Sequence, residues 1–309
     1  MSIKRTGRQS RFVRMLMATL VVVAASLANS RPAVAWDSRT HRLIARMAID
    51  ALPPSPLKDA FESGRAALQE YAVEPDTVLK PEYGHAEEIH HYIDLENFGA
   101  DPLARLSPDF ATMERRFGAR TLERSGTLAW TIEADASRMA EKWRERDCGA
   151  MFRTAGYLAH YIGDASMPLH STKYYDGYTY ADRGVHARFE GAADYDVREI
   201  SPAARPLVHI ERIDSVWTPV IDEIKRANAL VPEVMQSDRA VRKQTGYSRR
   251  AYDQALMAED SPMVARQVAD AASVLASVWL YEWKQAGSPA TCVGEAPYIP
   301  YRRRRRRRF

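Results

Sequence analysis

Between His160 and Glu190 the chain reads HYIGDASMPLH, a tyrosine-rich stretch, and then HARFE. His160 and Asp164 stand four residues apart, as do His186 and Glu190, so each pair lies on one face of its segment if that segment is helical. His170 follows Pro168 and Leu169, and a proline at that point ends the first helix. Two helices and the bend between them would then gather three imidazoles and two carboxylates, a nitrogen and oxygen set suited to zinc. One such pair alone carries little weight. With 40 acids and 8 histidines in 309 residues these pairs are common by chance, and His90 with Asp94 is a third.

More residues fall into the pattern upstream. Trp36 and His41 open the first amphipathic segment, Asp76 follows a proline, and His91 comes fifteen residues later in HHYID. If Ala35 is the last residue removed from a leader, Trp36 becomes a free terminus whose amine and carbonyl oxygen can chelate zinc, with His41 one turn on. Taken singly, Asp76 reads as a turn residue, His91 as a packed imidazole and Trp36 as a core aromatic.

Together, Trp36-x4-His41, Asp76-x14-His91, His160-x3-Asp164-x5-His170 and His186-x3-Glu190 resemble the nine-ligand, three-zinc pattern of the zinc-dependent phospholipase C and fungal single-strand nuclease superfamily. The resemblance spans Trp36 to Glu190, about half of the chain. It implies one zinc on Asp76, His91, His160 and Asp164, and a second on Trp36 and His41 that Asp164 bridges to the first. A third would sit on His170, His186 and Glu190. Three zinc ions against three carboxylates and one hydroxide leave such a centre at about +2, which favours a phosphate ester. The resemblance further implies hydrolysis, with metal-activated hydroxide attacking phosphorus in line and Asp76 and Asp164 as the catalytic carboxylates.

The two branches of the superfamily are mixed here. The Trp36 to His41 and Asp76 to His91 spacings resemble the nucleases, whereas Glu190 as last ligand, GVHARFEG and THRLIA resemble the phospholipases. The reading leans to a phospholipase C acting on head-group phosphodiesters. A single-strand nuclease or 3'-nucleotidase, and a non-catalytic zinc-binding secreted protein, stay open as alternatives. Tyr174, Tyr175 and Tyr178, with Tyr92 beside His91, are candidate substrate-binding residues: they could box a choline cation or stack unpaired bases. The implied partners are a phospholipid or membrane surface, or alternatively single-stranded nucleic acid or a nucleotide, with no obligate protein partner evident.

The elements that must position these residues read as helices and connectors, an all-α fold with no alternating strand pattern. Asp37 or Ser38 caps a first helix that stops at Pro53-Pro54, and Ser55-Pro56 starts a second running to about Tyr71. A short helix is expected from His85 to Tyr92, one or two long ones between Ser107 and Asp147, and another from Gly149 to Ala165. HARFE sits on a helix from Asp182 to Ile200. Later helices are expected near 215–230 and 237–257, with a last one started by Ser261-Pro262 and ending near Gly287.

Five basic residues between Lys4 and Arg14, an apolar run from Met15 to Ala28 and Ala33-Val34-Ala35 read as a secretory signal peptide over residues 1–35, cleaved before Trp36. Export to a secreted or periplasmic location follows, and it permits a bridge between Cys148 and Cys292 without requiring one. One all-α domain, 36–290, would be followed by a tail, 291–309, ending in Arg302–Arg308 that could meet an anionic lipid or nucleic-acid surface. The net charge of +4 comes from the two ends. Residues 36–301 hold 31 basic against 40 acidic residues, a net of −9, which argues against a broad duplex-binding face.

Overall fold

Apolar residues at helical spacing after Ser38 produce α1, Ser38–Ala51, in the computed structural model of the chain. It buries Leu43, Ile44, Met47 and Ala48 and stops before Pro53-Pro54. The structure describes residues 38–246, 248–295 and 298–301; the leader at 1–35, Trp36 and the arginine run 302–308 lie outside the described residues. Among the described residues there are helices, turns and no strand, so the fold is all-α.

The middle of the chain supplies α2, Leu128–Arg144, and α3, Cys148–Ser166, joined by a tight turn and packed along each other. Every residue of α3 from Leu158 to Ser166 is buried, as expected for a helix that is apolar nearly all round. Gly156 lets α3 approach the short helix Arg65–Tyr71: a Cβ there would lie 2.2 Å from Tyr71 Cβ and 3.1 Å from the Leu68 carbonyl. Then follow α4, Val185–Tyr195, α5, Trp217–Ala229, α6, Val231–Thr245, and α7, Arg249–Gln285. The 37-residue α7 packs against α1, α3, α4 and α6 and so forms the spine of the body. Phe61 meets the Trp279 ring edge-on at 4.8 Å and lies 5.7 Å from Trp143 and 5.8 Å from Phe152. Each such buried ring contributes roughly 1.5–3 kcal/mol by area, plus a smaller geometric part.

Several boundaries differ from those expected. Pro262 lies inside α7 rather than at its start, because Leu256, Met257, Val264, Ala265 and Val268 on both sides of it enter one core and outweigh the lost backbone bond. The expected second helix is broken at Gly64 into Pro56–Ser63 and Arg65–Tyr71. The helix at His85 ends at Glu88, since neighbouring segments take its next backbone groups: Thr127 N donates to the Ile89 carbonyl, Ile93 N to that of His170 and Asp94 N to that of Ser125.

The segment beyond residue 290 is tied to this body. Cys148 and Cys292 form a disulfide with Cα atoms 5.4 Å apart across 144 positions. Closing a loop of that length stabilises the folded chain by about 5 kcal/mol in the chain-entropy account. Past it, the Ile299 amide donates to the Tyr71 hydroxyl and the Tyr298 hydroxyl to Glu74.

Candidate metal centre

Asp164, fully buried near the C-terminal end of α3, is the hub. Its Oδ2 lies 2.9 Å from His91 Nδ1 and 3.3 Å from His160 Nε2. Its Oδ1 lies 3.6 Å from His41 Nε2 and 3.4 Å from His170 Nδ1. His41 and His91, both distant in sequence, thus meet the His160–His170 stretch at one carboxylate. Asp76 joins from the helical turn Pro75–Leu79, with Oδ1 3.6 Å from His91 Nδ1 and Oδ2 3.8 Å from His160 Nε2. On the other side, His186 and Glu190 project from α4 one turn apart. Glu190 Oε1 is 2.9 Å from His186 Nε2 and 3.2 Å from His170 Nε2.

Helix packing sets these positions. His41 stacks on His160 with ring centroids 3.9 Å apart. It can do so because residue 163 is glycine; a Cβ there would stand 2.8 Å from His41 Nδ1. Asp194, two turns along α4 from His186, accepts from the Arg39 amide at 2.7 Å and the Thr40 amide at 3.0 Å, so a carboxylate of α4 caps the start of α1.

Electrostatics keep the donors apart in character. Burial, and then His160, push His41 well below its ordinary value, so it is a neutral imidazole. Burial also acts to lower His91, but its hydrogen bond to the Asp164 carboxylate and the neighbouring carboxylates of Glu87 and Asp76 carry it up to about 9. Burial would raise Asp164, yet His160 and His170 hold it well below the usual carboxylate range.

The residues fit divalent cations. Among the described residues, His41 Nε2, Asp76 Oδ2, Asp164 Oδ1 and His170 Nδ1 are buried without a hydrogen-bond partner, a cost that native interiors avoid. Imidazole nitrogens face each other at 3.1 Å for His160 and His91 and at 3.0 Å for His170 and His186. Donors about 2.0–2.1 Å from a tetrahedral zinc are separated by roughly 3.3 Å, so these gaps match shared ligation. Three groups of potential ligands have donor atoms within 4.8 Å of one another: His41, His160 and Asp164; Asp76, His91 and His160; and His170, His186 and Glu190.

The supporting residues escaped sequence reasoning. The Ala72 carbonyl lies 2.9 Å from His160 Nδ1 and turns Nε2 inward. Glu87, held by the Tyr161 hydroxyl at 2.6 Å, stands 3.5 Å behind His91 Nε2. Lys80 Nζ lies 3.1 Å from Asp76 Oδ1. Each acid or base is four residues from a recognised one (Asp76 and Lys80, Glu87 and His91, Glu190 and Asp194), the one signal that could have found them. Of the tyrosines, Tyr175 brings its ring within 5.7 Å of His186, while Tyr174 and Tyr178 pair with each other at 5.3 Å. Tyr92 is partly buried beside Gly126, its ring and carbonyl against the space a Cβ would fill. His90 turns away to the Thr127 and Thr131 hydroxyls, and His209 lies on the surface beside Glu211.

The sequence model of the family described as zinc dependent phospholipase C matches residues 40–226, more than half of the chain. The chain belongs to that family. No curated protein sequence matches it. Among solved structures this zinc-dependent phospholipase C family member is similar to the alpha toxin from Clostridium absonum, at 15% identity with a TM-score of 0.45 over 78% of this chain and 63% of that one. It is likewise similar to the Clostridium perfringens alpha-toxin isolated from an avian strain, at 16% identity with a TM-score of 0.45 over 81% and 64%. The chain therefore spans less than two thirds of the length of either toxin.

Proposed function

We propose that this chain is an exported phospholipase C that hydrolyses the head-group phosphodiester of phospholipids at a three-zinc centre. The observation that carries the reading is the convergence of eight donor side chains, seven of them buried, on and around Asp164 in a member of the zinc-dependent phospholipase C family. One zinc is assigned to Asp76, His91, His160 and Asp164, and a second to His41, Asp164 and the terminus freed when the leader is removed before Trp36. His170, His186 and Glu190 take the third. When bound, the ions supply an acidified water and Lewis-acid polarisation of a phosphoryl oxygen. Export is supported by the small-x-small site at Ala33-Val34-Ala35 and by the Cys148–Cys292 bridge, which suits an oxidising compartment.

The chain's own groups then have defined tasks. Asp164 spans two ligand groups with its two oxygens, so its place decides the spacing between them. The Ala72 carbonyl and Glu87 fix the ring orientations of His160 and His91, which removes reorganisation at the moment of reaction. Lys80 holds one oxygen of Asp76 and leaves the other turned toward His160. Tyr175 walls the His186 side and, with Tyr174 and Tyr178, offers ring faces to a quaternary ammonium head group.

Incubating the secreted, processed chain with phosphatidylcholine and with denatured DNA, each with and without chelator, separates the readings. Phosphocholine is expected to be released from the lipid, chelator to stop it, and the DNA to stay intact. Cleavage of the DNA alone overturns the lipid reading in favour of the nuclease, and cleavage of neither favours a non-catalytic zinc-binding protein.

A further inference from the structure

We propose that a basic cleft beside the tyrosine loop is a second, non-catalytic lipid site that docks the chain on the phosphates of an anionic phospholipid bilayer. The cleft has a volume of about 890 Å³ and is lined by Arg188, Arg239, Arg242, Lys243, Arg249 and Asp182. Five cations gathered in one concavity are notable in a body whose net charge is −9.

Carboxylates engage three of them. Asp238 takes Arg188 through bonds of 2.7 and 2.8 Å, Asp182 takes Arg239 at 2.7 Å, and Asp253 takes Arg249 at 2.7 Å. These pairs hold three guanidinium planes in place. Arg242 donates to the Ala181 carbonyl and stands 3.7 Å from Asp238, which Arg188 already occupies, and Lys243 is exposed. Five cations against three carboxylates leave two positive charges in the cleft. A guanidinium beside an ammonium in a preorganised hollow is a binder of phosphate oxygens.

A bilayer is the occupant indicated by what surrounds the cleft. Thr179, Ala181 and Asp182 on its wall belong to the loop that carries Tyr174, Tyr175, Tyr178 and Tyr180, and these rings are 39, 52, 44 and 84% exposed. Exposed amphipathic rings next to cations suit the head-group layer, where the ring body meets apolar chains and the hydroxyl stays wet. Ring contacts connect the cleft to the metal centre. The Arg239 guanidinium lies 5.9 Å from the Tyr178 ring, Tyr178 pairs with Tyr174, and the adjacent Tyr175 reaches His186. Cations, rings and the third ligand group thus follow one another along the tyrosine loop. A lipid surface held at the cations would bring its neighbouring molecules to the centre.

This inference rests on the phospholipid reading, and its test separates the two. The full processed chain is sedimented with vesicles of phosphatidylcholine alone and with vesicles that also contain phosphatidylglycerol, while hydrolysis of a monomeric short-chain phosphatidylcholine is followed in parallel. Each charge near an anionic surface is worth roughly a fivefold change in partitioning, so R242Q/K243Q is expected to lose about 25-fold on the mixed vesicles and Lys243→Gln alone about fivefold. Both variants should hydrolyse the short-chain lipid as the parent does. Unchanged partitioning of both, with that hydrolysis intact, overturns the cleft as a docking site and leaves the proposed function standing. Loss of short-chain hydrolysis in Lys243→Gln also overturns it, because the cleft would then belong to the active site. A parent chain that cleaves no lipid yet loses vesicle binding on substitution condemns the function and keeps the site.

Discussion

Asp164→Asn is expected to leave the helices intact and abolish turnover. Asparagine has the same shape, so the buried volume near the end of α3 is preserved and the circular dichroism spectrum should not change. What disappears is the negative charge that faces four imidazoles, those of His91, His160, His41 and His170, within 3.6 Å. An amide nitrogen turned toward any of them repels a cation where the carboxylate attracted one. Activity should fall by at least about 10³-fold, the scale of removing one preorganised electrostatic group, and zinc content should fall with it. Undiminished zinc and turnover in this variant would remove Asp164 from the hub position.

Stripping zinc should have a comparably large effect, on stability as well as activity. An ion present at a thousandfold excess over its dissociation constant adds about 4 kcal/mol to folding, so losing even one should lower the melting temperature by about 10 °C in a domain of this size. Returning zinc should restore both properties. The pH dependence has a defined sign. With His91 raised to about 9 in the metal-free chain, its ring carries a proton at pH 7 that ligation must expel. Adding zinc in weak buffer should therefore release protons, and zinc affinity should weaken as pH falls. In the metal-free chain, the stability that His91 supplies is fully present below about 6.5 and is lost as pH rises through about 9. Chelator-treated protein that melts at the same temperature and releases no protons on zinc addition would exclude these donors as ligands.

The fold class and the helices that carry the candidate ligands were legible because their signals are local. His160 and Asp164, and His186 and Glu190, meet through the helical repeat, which needs no knowledge of the rest of the chain. What was illegible depends on distant partners. Pro262 reads as a helix start until α7 is seen passing through the core with apolar residues on both sides. Nothing local marks Asp194 as the group whose carboxylate accepts from the first amides of α1. Glu87 and Lys80 sit at the same four-residue spacing as the ligands, but in a chain with 40 acids that spacing alone selects nothing. The bridge between Cys148 and Cys292 was left open by sequence because a pair 144 positions apart has no local signature.

The count of zinc ions per chain, taken by native mass spectrometry on protein that begins at Trp36, bears most directly on the account. Three ions per chain are expected, with His41, Asp76, His91, His160, Asp164, His170, His186 and Glu190 as their side-chain ligands. A count of none or one on the processed protein would contradict a trinuclear hydrolytic centre.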